Sequence, residues 1–379
     1  MKIVSDWLSS DASRAVTGML ERAGHQALFV GGCVRNALLD APVSDLDIST
    51  DARPQQVMEL AQSAGLKAVP TGIDHGTVTV VAGHAPYEIT TFRRDVETDG
   101  RRAVVAFADT VEEDARRRDF TMNALYCDAR GDVMDPLGGL PDLHAHKVRF
   151  IDDAEQRIRE DYLRILRFFR FTAWYGDGFD PDGLSACAVL ADGIEGLAKE
   201  RIGQEMLKLL AAPDPAPSVA AMAQSGVLWR VLPGADPVAL APLVHLEQGQ
   251  TPDPIRRLAA LGGEDVPARL RLSKAQEGAL AALTGGVGST MDAAELGYRL
   301  GFEGARDVLL LRAAVLVQPV EGIDAARHGA AQHFPLTARD LMPDLSGPAL
   351  GAALKKAEAA WIGSGFTLDA AALKASALE

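Results

Sequence analysis

Two aspartates one residue apart, Asp45-Leu46-Asp47, follow shortly after a Gly31-Gly32 pair. On a strand, side chains at i and i+2 share a face, so the two carboxylates would project together. Paired carboxylates repel unless a cation lies between them, and hard oxygen ligands of this kind suit Mg²⁺. Gly31 and Gly32 let the backbone approach a phosphate closely. The N–H groups of a short following helix would face that anion, with Arg35 as a fixed positive charge. Alone, either motif reads as an ordinary turn or a solvated strand end. Together, inside LFVGGCVRNALLDAPVSDLDIST (28–50), they describe a nucleotide-and-metal site.

G-G-x-V-R followed by D-x-D resembles the head of the class II tRNA nucleotidyltransferases and bacterial poly(A) polymerases, within the DNA polymerase β-like nucleotidyltransferase superfamily. That family usually carries Asp where this chain has Asn36, which weakens one helix-start contact but spares both expected metal ligands. The resemblance places the strand YEITTF (87–92) beside the D-x-D strand, so Glu88 becomes a third acidic group.

The run Arg116 to Ala124 (RRRDFTMNA) matches the family's R-R-D-F-T-x-N-A motif. Beside a polyphosphate, Arg118 would neutralise charge that builds on departing pyrophosphate. Asp119 would hold Arg118 or orient a ribose, and Asn123 offers an amide to a sugar hydroxyl. Further on, EDYLRILRFFRF (160–171) matches the motif E-D-x-x-R-x-L-R-x-x-R-F. Ile158, Tyr162, Ile165, Leu166 and Phe169 form an apolar stripe at helical spacing, and Asp161 and Arg164 are i,i+3 neighbours on the opposite surface. A carboxylate only accepts and a guanidinium only donates. Cytosine and adenine both present an amino donor beside a ring-nitrogen acceptor, whereas uracil and guanine invert that pattern. Asp161 with Arg164 is therefore a side-chain template for C and A, and mismatched polar groups in a closed site can discriminate by ~10⁴. The resemblance directs Arg167 and Arg170 at phosphates and gives E-R-I-x-x-E, here Glu200 to Glu205, the role of bracing the template helix.

The elements around these groups read as an α+β head followed by an all-α region. Residues 5–24 have helical periodicity, and Asp51 is expected to cap a helix running to about Ser63. LKAVPT, TVTVVA and YEITTF are strand-like, 93–108 begins as a charged loop and ends as a strand, and a helix is expected to carry EEDARRRDFTMNALYCD. After Asp152 strand signals nearly vanish, and PDPAP (213–217) and PDP (252–254) make plausible joints. TGGVGST (284–290) superficially resembles a phosphate loop but lacks its Lys and a preceding strand, so it reads as a helix connection. The expected domains are a catalytic head (1–150), a helical neck bearing the template (151–212) and a tRNA-binding body and tail (213–379).

With 379 residues and a net charge of −14, the chain is not a uniformly basic nucleic-acid coat. RNA contacts must come from local patches: Arg93-Arg94, Arg101-Arg102, Arg116 to Arg118, and 157–170. The odd, sparse set Cys33, Cys127 and Cys187 has no metal-type spacing and fits free thiols in a reducing cytoplasm. MKIVSDWLSS lacks the character of a signal peptide, and no apolar run is long enough to span a bilayer, so a soluble protein is expected.

The resemblance implies nucleotidyl transfer on Asp45 and Asp47 with two Mg²⁺ ions. Poly(A) polymerases share these blocks but usually carry a basic G-[RK]-[RK]-F run before a histidine, where this chain has VPTGIDHGT (69–77). The loop opening RRDVETDGRR resembles that of complete CCA-adding enzymes, and residues 93–105 are the candidate lever between C and A addition. The implied substrates are the tRNA 3′ end, CTP and ATP, with no obligate protein partner. Poly(A) polymerase and partial CC- or A-adding enzymes are the alternatives. A non-catalytic RNA-binding relative would not need intact Asp45, Asp47, Arg118, Asp161 and Arg164, and an antibiotic-modifying nucleotidyltransferase would not need the template helix.

Overall fold

The computed structural model describes residues 1–98, 103–342 and 344–378. It divides into two compact units, Met1–Pro233 and Gly234–Glu379. The boundaries expected after residues 150 and 212 both fall inside the first unit. The helices Ala216–Gln224 and Val227–Val231 pack together, the first also against the helix Leu163–Tyr175, which draws the chain past PDPAP into that unit.

The first unit is built on a seven-stranded sheet of order β3-β4-β5-β2-β1-β8-β9. Its strands are β1 (Leu28–Val30), β2 (Leu46–Thr50), β3 (Lys67–Gly72), β4 (Thr77–Ala82), β5 (Ala85–Thr91), β8 (Tyr126–Cys127) and β9 (Val133–Met134). A separate hairpin joins β6 (Arg93–Thr98) to β7 (Ala103–Phe107). The segment expected to open as a charged loop is thus paired from Arg93 onward, while the tip of the candidate lever, 99–102, lies outside the described residues. β2 runs parallel to β5, and its other neighbour β1 is antiparallel. Ile48 and Ile89 are fully buried, which fixes the opposite strand faces as the open ones. Leu28, Val30, Phe92, Ala115, Tyr126 and Ile151 form the core beneath this part of the sheet. Phe92, which strict alternation along YEITTF would put on the Glu88 face, lies beyond the end of β5 and is buried.

Helix Asp11–Arg22 is capped by the Ser10 hydroxyl and packs on β4. Helix Pro54–Ser63 starts at Arg53 rather than Asp51, because Asp51 Oδ1 is taken by the Gln26 amide. The helix expected to carry EEDARRRDFTMNALYCD stops at Arg116. Tertiary bonds take over there: Thr121 N donates to Arg149 O, Ile151 N to Asp119 O, and the Thr121 hydroxyl to Asp142. The remainder forms a 3₁₀ turn, Thr121–Asn123, and then β8.

Among the described residues no strand follows β9, so the α+β head and all-α remainder agree with the expectation. The connection expected over 284–290 begins only at Gly288, because Thr284 to Val287 still belong to the helix Lys274–Val287. The second unit has one core around Leu296, Val308 and Leu311 and another around Leu341, Trp361 and Leu373. It also buries Glu247 between Arg256 and Arg257, with Asp307 on the far side of Arg256. Among the described residues no helix is long and apolar enough to cross a membrane.

Candidate active site

Parallel pairing of β2 with β5 puts Asp47 directly opposite Glu88, while Ile48 opposite Ile89 faces the core. Asp45 lies just before β2, exposed, with Oδ2 accepting from the Ser44 hydroxyl at 3.0 Å. Asp47 is half-buried, and its carboxyl is pushed up to about 6, first by burial, then by Glu88, with Arg118 pulling it back and Asp45 adding the smallest push. The open end of β2 and β5 is therefore an acidic edge short of positive charge.

Gly31 follows directly on β1, the strand paired with β2, and has φ 70°, a conformation that favours glycine. A Cβ there would stand 3.5 Å from Nη1 of Arg118, so that guanidinium lies against the turn before the helix Gly32–Leu38. Arg118 is aimed by its other nitrogens: Nε donates to the Tyr126 hydroxyl at 3.1 Å, and Nη2 to Asp114 at 3.1 Å and Ser49 at 3.3 Å. Asp114 is completely buried and also receives Arg117 Nε and the Tyr126 hydroxyl, each at 2.9 Å. Burial alone would raise its carboxyl, yet Arg118 and Arg117 hold it far below the usual carboxylate range.

Arg35 has a different place from the one expected. It is 6% exposed, its guanidinium lies 4.1 Å over the Tyr175 ring, and it donates to Asn123 Oδ1, Asn36 Oδ1 and the Tyr175 hydroxyl. It braces the glycine turn against the helix Leu163–Tyr175 instead of offering an open charge. Asn36 uses its amide to donate to Pro42 O at 2.8 Å, a bond an aspartate could not make. Asn123 donates to Asp119 Oδ1, and Asp119 Oδ2 receives Arg167 Nε at 2.7 Å. Despite burial, this pairing holds the Asp119 carboxyl at about 2. Arg170 Nε binds Glu205 at 2.6 Å. Arg167 and Arg170, expected at phosphates, are thus engaged with carboxylates, and Asp119 holds Arg167 rather than Arg118.

The template pair also differs in its setting. The helix is not continuous: one helix ends at Glu160, Asp161 is extended at φ −154° and ψ 104°, and the next begins at Leu163. Arg164 N donates to Asp161 O at 3.0 Å, but the two side chains turn to different partners. Arg201 clasps Asp161 with two contacts of 2.7 and 3.2 Å, and Arg164 donates to Glu160 and to the carbonyls of Arg157 (2.7 Å) and Arg117 (2.8 Å). Each group is held from outside, as a rigid reading surface requires. Tyr162 fits against Gly193, where any Cβ would overlap its ring.

Asp114, Tyr175 and Glu160 escaped the sequence reading as supports. Asp114 and Glu160 stand four residues before Arg118 and Arg164, a spacing that could have flagged them. Nothing local marks Tyr175. Arg201 and Glu205 belong to the E-R-I-x-x-E run expected to brace the template.

The donor set fits a divalent cation: hard carboxylates, one with a raised carboxyl, crowded at one edge. Among the described residues no three His, Cys, Asp or Glu side chains converge as a metal-holding group. Asp45 and Asp47 are the residues that could hold such a cation, with water and substrate oxygens completing its shell.

Residues 27–149 match the poly A polymerase head domain, and residues 178–238 match a probable RNA- and SrmB-binding site of polymerase A. Over 207 residues the chain is 41% identical to the mitochondrial CCA tRNA nucleotidyltransferase 1 of Homo sapiens, covering 54% of this chain and 48% of that one. It is 44% identical over 200 residues to the CCA-adding enzyme of Oceanobacillus iheyensis, covering 52% and 49%. These matches span about half the length of the curated relatives. Among solved structures, the Bacillus stearothermophilus CCA-adding enzyme in complex with CTP superposes with a TM-score of 0.78 at 27% identity, covering 95% of this chain and 94% of that one. The Thermotoga maritima CCA-adding enzyme complexed with tRNA has the same fold, with a TM-score of 0.72 at 20% identity over 100% and 99%. By its head, its downstream segment and its fold, the chain is similar to the poly A polymerase head and RNA-binding models and to the CCA-adding enzymes.

Proposed function

We propose that this protein is a CCA-adding tRNA nucleotidyltransferase, which completes or repairs the tRNA 3′ end from CTP and ATP and releases pyrophosphate. The observation that carries the reading is the acidic edge of Asp45, Asp47 and Glu88 beside the Gly31 turn and Arg118, on a chain that superposes on a CTP complex over 95% of its length. Two Mg²⁺ ions, held by Asp45 and Asp47, would supply activation of the 3′-hydroxyl and charge neutralisation on the triphosphate.

The remaining work falls to the chain itself. Gly31 admits the triphosphate close to the backbone, and Arg118, pinned by Asp114, Ser49 and Tyr126, presents Nη1 to charge growing on the leaving pyrophosphate. Glu88 keeps negative charge opposite Asp47 and favours cation retention. Asp161 accepts from the amino group of C or A, and Arg164 donates to the ring nitrogen. Their pairing with Arg201 and Glu160 fixes the geometry that rejects U and G. Arg35, Asn123, Asp119, Arg167, Glu205 and Arg170 form a chain of bonds that keeps the glycine turn and the template helix in register. Residues 151–212 then act as a neck, and the helices beyond as a tRNA-binding body and tail. A cytoplasmic setting agrees with three free, buried thiols.

The test is tRNA lacking its CCA, offered the four triphosphates singly and together. Addition that halts after C, C and A supports the reading. A long A tail would establish a poly(A) polymerase, and arrest after two C a partial enzyme.

A further inference from the structure

We infer that the recess framed by Arg94, Arg116, Arg117 and Arg157 is a seat for a phosphodiester of the RNA backbone, built against the backbone that holds Arg164 of the base template. The inference rests on the RNA-directed reading above. The recess measures about 180 Å³, and a single acid, Glu113, shares its lining.

Charge favours an anion there. Six guanidiniums (Arg94, Arg116, Arg117, Arg118, Arg157 and Arg164) stand among the four carboxylates of Glu113, Asp114, Asp152 and Glu160, an excess of two positive charges in a chain of net −14. The inner carboxylates are shared: Asp114 serves Arg117 and Arg118, and Glu160 serves Arg157 and Arg164. At the mouth, Arg94 and Arg116 meet Glu113 and Asp152 only at 3.7 and 3.6 Å, with side chains 59% and 65% exposed. Ion pairs this loose and wet hold little energy. A phosphate can recruit both guanidiniums in forked contacts that are stronger than the pairs they replace.

Position decides between possible anions. The carbonyls of Arg117 and Arg157 both accept from Arg164, and Arg157 donates to Arg116 O. The recess therefore adjoins the backbone that holds Arg164, and neither Arg118 nor the Gly31 turn, where a triphosphate would bind, is part of its lining. It is separate from the template yet rigidly joined to it. An RNA strand seated there would tighten the frame that aims Arg164, so RNA occupancy and base selection become linked.

The experiment uses full-length Arg94→Ala/Arg116→Ala protein, with Arg94→Lys/Arg116→Lys as a charge-retaining control. Affinity for tRNA lacking CCA is measured across a salt series, CTP affinity is measured without tRNA, and inorganic pyrophosphate is tested as a competitor of tRNA. Expected for the Ala variant are a roughly tenfold weaker tRNA Kd near 150 mM salt and a log–log salt slope shallower by about 1 to 2. CTP affinity and melting temperature should be unchanged, the Lys variant should fall between, and pyrophosphate should not compete. An unchanged tRNA Kd and slope would overturn the inference. So would a loss of CTP affinity as large as the loss of tRNA affinity, or displacement of tRNA by pyrophosphate, since either makes this a nucleotide-phosphate seat. Failure of the wild type to extend tRNA would sink the CCA reading while leaving the Arg94/Arg116 binding result to stand by itself.

Discussion

Asp47→Asn should make the protein more stable at neutral pH while abolishing catalysis. The Asp47 carboxyl is raised from 3.8 to about 6, above its unfolded value. A group raised in this way contributes stability below its unfolded pKa and loses it as pH climbs through the folded one. The full rise corresponds to about 3 kcal/mol. Asp47 is only half-buried, so solvent relaxation reduces the gain to about 1–2 kcal/mol. Asparagine keeps the shape of the neutral acid without the charge. In EDTA the two proteins should therefore unfold alike below pH 4, and the variant should pull ahead between about pH 4 and 6 and keep that lead at higher pH, by about 3–6 °C. Adding Mg²⁺ should stabilise only the wild type and shrink the gap. Thermal unfolding at several pH values, with EDTA or Mg²⁺, measures all of this. A variant no more stable than wild type at pH 7.5 in EDTA, or a gap that ignores pH, would refute the claim that this edge lacks positive charge.

Asp45→Ala should stop incorporation while tRNA affinity, read by filter binding, stays within about twofold, because the role proposed for exposed Asp45 is to hold a metal ion and not RNA. Arg164→Ala, and more mildly Arg201→Ala, should raise kcat/KM for UTP and GTP relative to CTP and ATP, and a parallel fall of all four would defeat the template assignment. Asp114→Asn should cost about 3–5 kcal/mol in denaturant unfolding, since it strands two guanidiniums and a buried hydroxyl. Shortening the segment 93–105 should leave two C additions nearly normal and remove the final A, scored on gels with trimmed tRNA. Unimpaired A addition would take that segment out of the mechanism.

Most of the head was legible because its signals are local. Period-2 runs read as β3, β4 and β5, and the buried alternation around Ile48 and Ile89 follows from strand geometry alone. The D-x-D spacing told which carboxylates share a face, and the glycine pair told where backbone could approach a phosphate. The family motifs marked Glu88, Arg118, Asp161 and Arg164, with no means of saying which protein groups would hold each in place. That was decided by residues distant in sequence. Asp161 leaves helical geometry with Arg201 clasping its carboxylate forty positions on, so an apparently continuous amphipathic helix is two. RRDFTMNA abandons the helix because Arg149 and Asp142 offer bonds that an isolated helix end lacks. Arg35, Arg167 and Arg170 read as open charges on the line of the sequence. Only the packing of Leu163–Tyr175 and Lys199–Leu210 brings Tyr175, Asp119 and Glu205 to them. A guanidinium's chemistry is written in its residue type, but whether it meets a phosphate or a carboxylate depends on which long-range partner the fold delivers to it at hydrogen-bond distance.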